Sequence, residues 1–167
     1  MTSVKITSRG DEDIQAEIKR LSARIGSPRP ILGAIGEILV DSTTRRFARG
    51  VGPDGKRWKR NAPSTISRYL AAFGNSRRRQ GTKRPLIGET LALSTTISWN
   101  VSGRTLRVGS PMIYAGVQHF GARRGEFGAN RRGSPIPWGD VPARPFLGLT
   151  EDDREDILDS LREMLER

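Results

Sequence analysis

The sequence predicts an α+β domain in which several helices pack against a small antiparallel sheet. Apolar residues recur at helical spacing in separate segments, while apolar and polar residues alternate within 97–108. The chain has 167 residues, of which 35% are hydrophobic, and this is enough for the core of one domain. We therefore expect a single domain over residues 1–167, with flexible basic loops at 75–84 and 121–135 and a C-terminal helix at 150–167.

Two helices are predicted in the first 50 residues, after a short alternating segment at residues 3–8 that suggests a strand. Asp11 suits the N-cap of the first helix, and Pro30 suits the first turn of the second. Gly26 and Gly50 mark their ends. The apolar stripes that define the two helices are Ile14, Ile18, Leu21 and Ile25, and then Ile31, Ile35, Ile38, Leu39 and Phe47.

A turn and a third helix are predicted next. The Pro-Asp-Gly triplet at residues 53–55 is a strong turn signal, because proline presets φ and glycine supplies a positive φ. A short helix is expected from Pro63 to Gly74, since apolar residues again recur at helical spacing. Residues 75–84 contain no apolar side chain, which predicts a loop.

A β-hairpin is the clearest sheet signal in the chain. Apolar residues alternate on either side of the Ser-Gly pair at residues 102–103. A two-residue turn there predicts that Trp99 pairs with Leu106 and that Ile97 pairs with Val108. Both pairs then lie on one face of the hairpin, as a hairpin with one buried face requires.

The remaining elements are short, apart from the last helix. A helical turn is expected within residues 86–93, and a short buried helix or turn within residues 112–120. Residues 121–135 are rich in glycine and arginine and predict a loop. Thr150 and Asp153 have the spacing of a capping box, so a helix is predicted to begin there and to continue to the end of the chain.

The charge of the chain is large and unevenly distributed. The net charge is +11, from 29 Lys and Arg against 18 Asp and Glu. Residues 41–149 hold twenty basic and five acidic residues, whereas residues 150–167 hold three basic and eight acidic residues. A basic middle segment suggests a nucleic acid or an acidic protein surface as partner. Segments of opposite sign also suit self-association.

Several classes of protein are excluded by composition. The chain has no cysteine and a single histidine, His119, so a disulfide framework, a thiol nucleophile, a cysteine-based zinc site and a histidine-rich metal cluster are ruled out. No apolar run has the length of a membrane span, and the N-terminal residues do not resemble a signal peptide. We therefore expect a soluble intracellular protein that is not an enzyme and needs no cofactor.

Clusters of lysine and arginine are the candidate contact residues. They suit the phosphate backbone of DNA, and they equally suit loops that become ordered on a partner protein. Both alternatives stay open from the residues alone. The candidates are Lys56, Arg57, Lys59, Arg60, Arg77, Arg78, Arg79, Lys83, Arg123, Arg124, Arg131 and Arg132.

Three local features receive a structural interpretation. Residues 50–56 match the glycine and lysine positions of a phosphate-binding loop, but Arg57 stands where that loop needs Ser or Thr. Trp58 lies among basic residues and has two possible roles, stacking on a base or filling the core, and we favour the core. His119 has no partner suited to catalysis, so a packed or interfacial histidine is expected.

Four motifs, in the same order and spacing, resemble the phage virion morphogenesis, or tail-completion, family. They are residues 52–58 (GPDGKRW), 84–97 (RPLIGETLALSTTI), 108–121 (VGSPMIYAGVQHFG) and 142–149 (PARPFLGL). Leu91 departs from the family pattern, which usually has glycine there, and Gln118-His119 inverts the usual order. The motif residues to which the resemblance assigns structural roles are Pro53, Gly55, Trp58, Tyr114, Phe120, Gly121, Arg144, Pro145 and Phe146.

The resemblance implies a small subunit that forms a ring, expected to be hexameric, at the neck between phage head and tail. Such a protein completes or terminates the tail and joins it to the head. The implied partners are copies of itself, the tail tube protein and head-completion or connector proteins, with transient contact to packaged DNA. The implied location is the host cytoplasm during assembly and then the virion. No catalytic residue is implied.

Overall fold

A computed structural model describes residues 12–78, 84–88 and 90–166 of the chain. In this part of the chain, six helices and one two-stranded antiparallel sheet form the small α+β fold that the sequence predicts. In chain order the elements are α1 (Glu12–Ile25), α2 (Arg29–Arg49), α3 (Pro63–Arg78), α4 (Ala92–Thr95), β1 (Ser98–Ser102), β2 (Thr105–Gly109), α5 (Ala115–Phe120) and α6 (Glu151–Glu166).

The central helix is α2, and both parts of the core are built on it. One cluster joins α1, α2 and α6 through buried aliphatic side chains, among them Leu21, Ile31 and Leu161. The second lies at the C-terminal end of α2 and is built around Phe47, Trp58 and Phe146. Ile14 and Leu21 of the predicted α1 stripe, and Ile31, Ile35 and Phe47 of the predicted α2 stripe, are therefore among the side chains that these helices bury.

The hairpin packs on α2 because two glycines leave room for an indole ring. A Cβ atom at Gly36 would lie 2.5 Å from Cγ of Trp99, and one at Gly33 would lie 3.3 Å from the same indole ring. The indole Nε1 of Trp99 donates a hydrogen bond to Glu37 Oε1 over 2.9 Å. The glycines thus place β1 directly against the helix.

The predicted register of the hairpin is wrong by two residues. Trp99 pairs with Val108 and Val101 pairs with Leu106. The two-residue turn is Gly103-Arg104 rather than Ser102-Gly103, and Gly103 takes a positive φ of 60° at the first turn position. A shift of two residues keeps the same side chains on the same face, so the alternating pattern cannot distinguish the two registers.

Two further boundaries differ from the prediction, and two predicted segments lie wholly or partly outside the described residues. Helix α3 continues to Arg78, so the predicted loop is wrong for residues 75–78. An interior glycine costs a helix only about 1 kcal/mol and the arginines that follow favour it, which explains why Gly74 does not end α3. The helical turn expected within 86–93 lies at α4 instead. Residues 3–8 and 79–83 are outside the described part.

Residues 121–135 have no helix or strand, as predicted, but their backbone is paired with the segment that follows. Ala122 and Val141 form an antiparallel bridge, and Phe127 N donates to Ile136 O over 2.8 Å. We call residues 122–141 the aromatic–arginine loop. Before it, α5 buries Ala115 and His119, but Phe120 is 64% exposed, so the short helix is only partly buried.

Candidate assembly surfaces

A buried ion pair fixes the C-terminal helix to α2. Arg46 donates to the Asp153 carboxylate, to Ser42 Oγ over 3.0 Å and to the carbonyl oxygen of Phe146 over 3.2 Å. Burial lowers the pKa of the Arg46 guanidinium, and the charge of Asp153 opposes this shift. The side chains of Arg46 and Asp153 are only 6% and 2% exposed. The pair therefore anchors the start of α6 in the interior.

Asp153 also completes the predicted capping box. The Thr150 amide donates to Asp153 Oδ2 over 2.9 Å, and the Asp153 amide donates to Thr150 Oγ1 over 3.0 Å. One carboxylate thus caps α6 and neutralises Arg46 at the same time. The position of the helix is set at its first turn, and this determines which of its side chains point outward.

Two aromatic residues of the motifs, Trp58 and Phe146, pack with Phe47 in the interior. The ring of Phe47 lies 5.2 Å from that of Trp58 and 5.3 Å from that of Phe146, between centroids. Trp58 is 6% exposed, and its indole N–H donates to the carbonyl oxygen of Pro145 over 2.7 Å. The structure thus places Trp58 in the core, where it cannot stack on a nucleic-acid base.

Arg144 is buried and acts as a clamp between two segments. Its Nε donates to the Lys59 carbonyl oxygen over 2.8 Å, and Nη2 donates to the Arg60 carbonyl oxygen over 3.2 Å. Its Nη1 reaches Gln118 Oε1 over 3.4 Å. Burial lowers the pKa of the Arg144 guanidinium. Because Arg144 binds their backbone, the side chains of Lys59 and Arg60 are left exposed.

The turn and loop residues of the motifs have either a positive φ or close packing. Gly55 has a positive φ of 73° in the Pro-Asp-Gly turn. Pro53 packs so closely on Gly148 that a Cβ there would lie 2.6 Å from its ring. Gly121 has φ 79°, and a Cβ there would lie 2.7 Å from the Val141 carbonyl oxygen. The close contacts at Pro53 and Gly121 hold the motif segments against one another.

His119 has a structural environment. It is 6% exposed, its Nδ1 accepts a hydrogen bond from the Phe146 amide over 3.4 Å, and its ring packs edge-on against those of Phe120 and Phe146. Burial lowers the pKa of His119, so its ring favours the neutral form that can accept this bond.

The basic candidate residues that the structure describes lie mainly on the surface. Arg77 and Arg78 belong to the last turn of α3, whereas Arg79 and Lys83 lie outside the described residues. No carboxylate of the described residues lies within 4 Å of the guanidinium groups on the aromatic–arginine loop. The exposed basic candidates are Lys56, Arg57, Lys59, Arg60, Arg123, Arg124, Arg131 and Arg132.

Large apolar side chains are exposed in one stretch of the chain. Among the residues whose side chains the structure describes, Leu91 is the single exposed large hydrophobic outside residues 113–138. Arg68 of α3 lies over the ring of Trp138, 4.2 Å from its centroid. The exposed members of the stretch are Ile113, Tyr114, Phe120, Phe127, Ile136 and Trp138.

Sequence reasoning missed the Arg46–Asp153 pair and the place of Trp99 on α2. Two signals in α2 point to them. Arg46 falls on the helical stripe that buries Ile35 and Phe47, and a charge there requires a partner. Gly33 and Gly36 lie one turn apart, which favours close approach of another element.

The described part of the chain has neither a metal-binding cluster nor a membrane-spanning helix. It contains no group of three or more His, Asp or Glu side chains placed to hold a metal ion. Nor is any helix within residues 12–78, 84–88 and 90–166 both long and apolar enough to cross a membrane.

Comparison with known proteins gives a consistent relationship over nearly the whole chain. The profile of the phage virion morphogenesis family matches residues 10–166. The chain is 26% identical over 160 residues to "Mu-like prophage FluMu G protein 2" of Haemophilus influenzae, covering 96% of the chain and 94% of that protein. It is 26% identical over 159 residues to "Putative capsid assembly protein G" of Escherichia phage Mu, covering 91% and 92%. No solved structure matches significantly.

Proposed function

Because the chain belongs to the phage virion morphogenesis family, we propose that it is a structural subunit of a ring at the head–tail neck. The ring is hexameric, completes or terminates the tail, and joins it to the head. The relative from phage Mu is named a putative capsid assembly protein, which supports a role in particle assembly.

The observation that carries this proposal is the exposed apolar stretch at residues 113–138. Ile113 is 93% exposed and Trp138 is 67% exposed, and both are residue types that a protein normally buries. Aromatic and arginine side chains together are typical of the centres of protein interfaces. A subunit that leaves such side chains in solvent is suited to bury them against another protein.

The proposed partners follow from this role. Copies of the chain bind one another around the ring, the tail tube protein binds one rim, and head-completion or connector proteins bind the other. Packaged DNA passes through the ring, where exposed Lys and Arg side chains are able to contact its phosphates transiently.

Deletion of the gene tests the proposal. Particles made without the protein are expected to show unjoined heads and tails in negative-stain micrographs, and expression of the wild-type chain in trans restores joined virions. Normal joined particles in the absence of the protein would contradict a role at the neck.

The second candidate function is DNA binding, favoured by the exposed side chains of Lys56, Arg57, Lys59 and Arg60. The burial of Trp58 removes the aromatic side chain that this segment would use to stack on a base. A DNA-binding protein shows duplex affinity that falls steeply as the salt concentration rises, and measuring this slope separates the two functions.

A further inference from the structure

The outward face of α6 is almost entirely acidic. The residues of α6 that are exposed fall within an arc of roughly 140° when the helix is projected at about 100° per residue. The opposite arc holds Ile157 and Leu161, which are buried against α1 and α2. We call this exposed arc the acidic face; its members are Glu151, Asp152, Glu155, Asp156, Asp159, Glu163 and Glu166, with Arg162 as its one basic residue.

Contacts within the subunit neutralise only part of this charge. Arg162 pairs with Asp159 over 3.0 Å and Arg45 pairs with Asp156 over 3.8 Å. Glu155 and Glu163 have no basic group within 4 Å in the described residues. The exposed face therefore keeps a strong negative field that a positive surface would complement.

The aromatic–arginine loop carries the opposite charge. Arg123, Arg124, Arg131 and Arg132 are exposed, and none of them pairs with a carboxylate of the described chain. Glu126, an acidic residue of the loop, accepts a hydrogen bond from the backbone amide of Arg123 over 2.6 Å and forms no ion pair with these arginines. The loop and α6 thus do not neutralise each other within one subunit.

We propose that the acidic face of α6 on one copy docks on the aromatic–arginine loop of a second copy. This inference rests on the proposed ring and names the contact that builds it. Two different surfaces meet, so the contact is heterologous, and repetition of it builds a ring when the rotation from one copy to the next closes. Phe127, Ile136 and Trp138 supply apolar area, while the arginines pair with carboxylates and pack their methylene stems against the helix.

Complementary charge reversal tests this contact. The loop variant carries Arg131→Glu and Arg132→Glu, and the helix variant carries Glu155→Lys and Glu163→Lys. Each variant reverses one side of every contact, so self-association is expected to weaken roughly tenfold or more, and neither should complement a phage that lacks the gene. Arg104→Glu, on the exposed turn of the hairpin, is the matched control and is expected to complement.

Co-expression of the two variants is the decisive arm. The normal loop of the helix variant then meets the normal helix of the loop variant, and the two reversed surfaces meet each other. Complementation is expected to return, and a single chain that carries all four changes should also complement. Equal thermal unfolding temperatures of both variants and the wild type show that each is folded.

Disulfide trapping gives an independent measurement, because the natural chain contains no cysteine. A chain with both Arg131→Cys and Glu163→Cys is expected to form a ladder of covalent oligomers under oxidation, while each single variant forms none. Oligomers of the double variant that stop at the dimer would contradict a repeating heterologous contact.

The possible failures are distinguishable. If either variant complements alone, or if co-expression does not rescue, the contact is wrong, whatever the place of the protein in the virion. If the loop variant fails while the helix variant complements, the loop binds DNA or another protein instead. If rescue succeeds but heads and tails join without the protein, the contact stands and the neck function fails.

Discussion

Replacement of Asp153 by alanine is expected to be the most destabilising single change in α6. The Asp153 carboxylate is 2% exposed, and it pairs with Arg46, which is 6% exposed. Removal of one partner of a buried pair leaves the other charge without compensation, which costs about 3–5 kcal/mol. The same substitution also removes the hydrogen bond that the Asp153 carboxylate accepts from the Thr150 amide, and the loss of such a helix cap costs about 1 kcal/mol by itself.

The control for Asp153→Ala is Asp159→Ala on the same helix. Asp159 forms an exposed pair with Arg162, three residues away, and such pairs contribute about 0.5 kcal/mol or less. Urea denaturation followed by far-UV circular dichroism measures the free energy of unfolding of both variants and of the wild type. We expect a loss of several kcal/mol for Asp153→Ala and almost none for Asp159→Ala.

A double-mutant cycle separates the pair from the cap. Arg46→Ala together with Asp153→Ala is expected to cost clearly less than the sum of the two single changes, because the second change no longer leaves a buried charge. A cost of Asp153→Ala below about 1 kcal/mol, or strict additivity in the cycle, would refute the reasoning that this pair anchors α6.

Three further predictions concern the fold. Gly36→Ala is expected to lower the free energy of unfolding by about 1–3 kcal/mol through its clash with Trp99, although alanine favours a helix. A higher free energy of unfolding than the wild type, measured by urea denaturation, would contradict this. Leu91→Gly should raise the free energy of unfolding by about 1 kcal/mol, because Leu91 has a positive φ of 55° that strains a residue with a side chain. A lower free energy of unfolding in the same assay would count against a strained turn. Because burial lowers the pKa of His119, the histidine binds a proton more readily in the unfolded state than in the folded state. The stability that comes from burying neutral His119 is therefore fully present above about pH 6.5 and decreases as the pH falls below that value. His119→Gln should flatten that part of the curve of melting temperature against pH, and an unchanged slope would contradict it.

Helices that bury a continuous apolar stripe can be predicted from the sequence, and several of their first and last residues can be predicted as well. Asp153 and Thr150 identify the start of α6, and Gly50 identifies the end of α2, because both signals act within one turn of the helix. Helix α3 shows the limit of this reasoning. Gly74 alone does not end a helix, and α3 continues past it to Arg78.

Contacts between distant residues are less accessible to sequence reasoning. A hairpin register shifted by two residues leaves the alternation unchanged, so only the geometry at Gly103 decides it. The Arg46–Asp153 pair joins residues 107 positions apart, and no local pattern names the partner of Arg46. The exposed arginines of the aromatic–arginine loop were found from composition, but the apolar side chains beside them became visible as a surface only in the fold.

Labelling of the protein in intact virions tests the central claim most directly. Immunogold electron microscopy with an antibody against the chain is expected to place the label at the junction of head and tail, and averaged images should show a ring of density there that is missing from particles made without the protein. Label distributed over the head or along the tail, or absent from finished particles, would contradict the account.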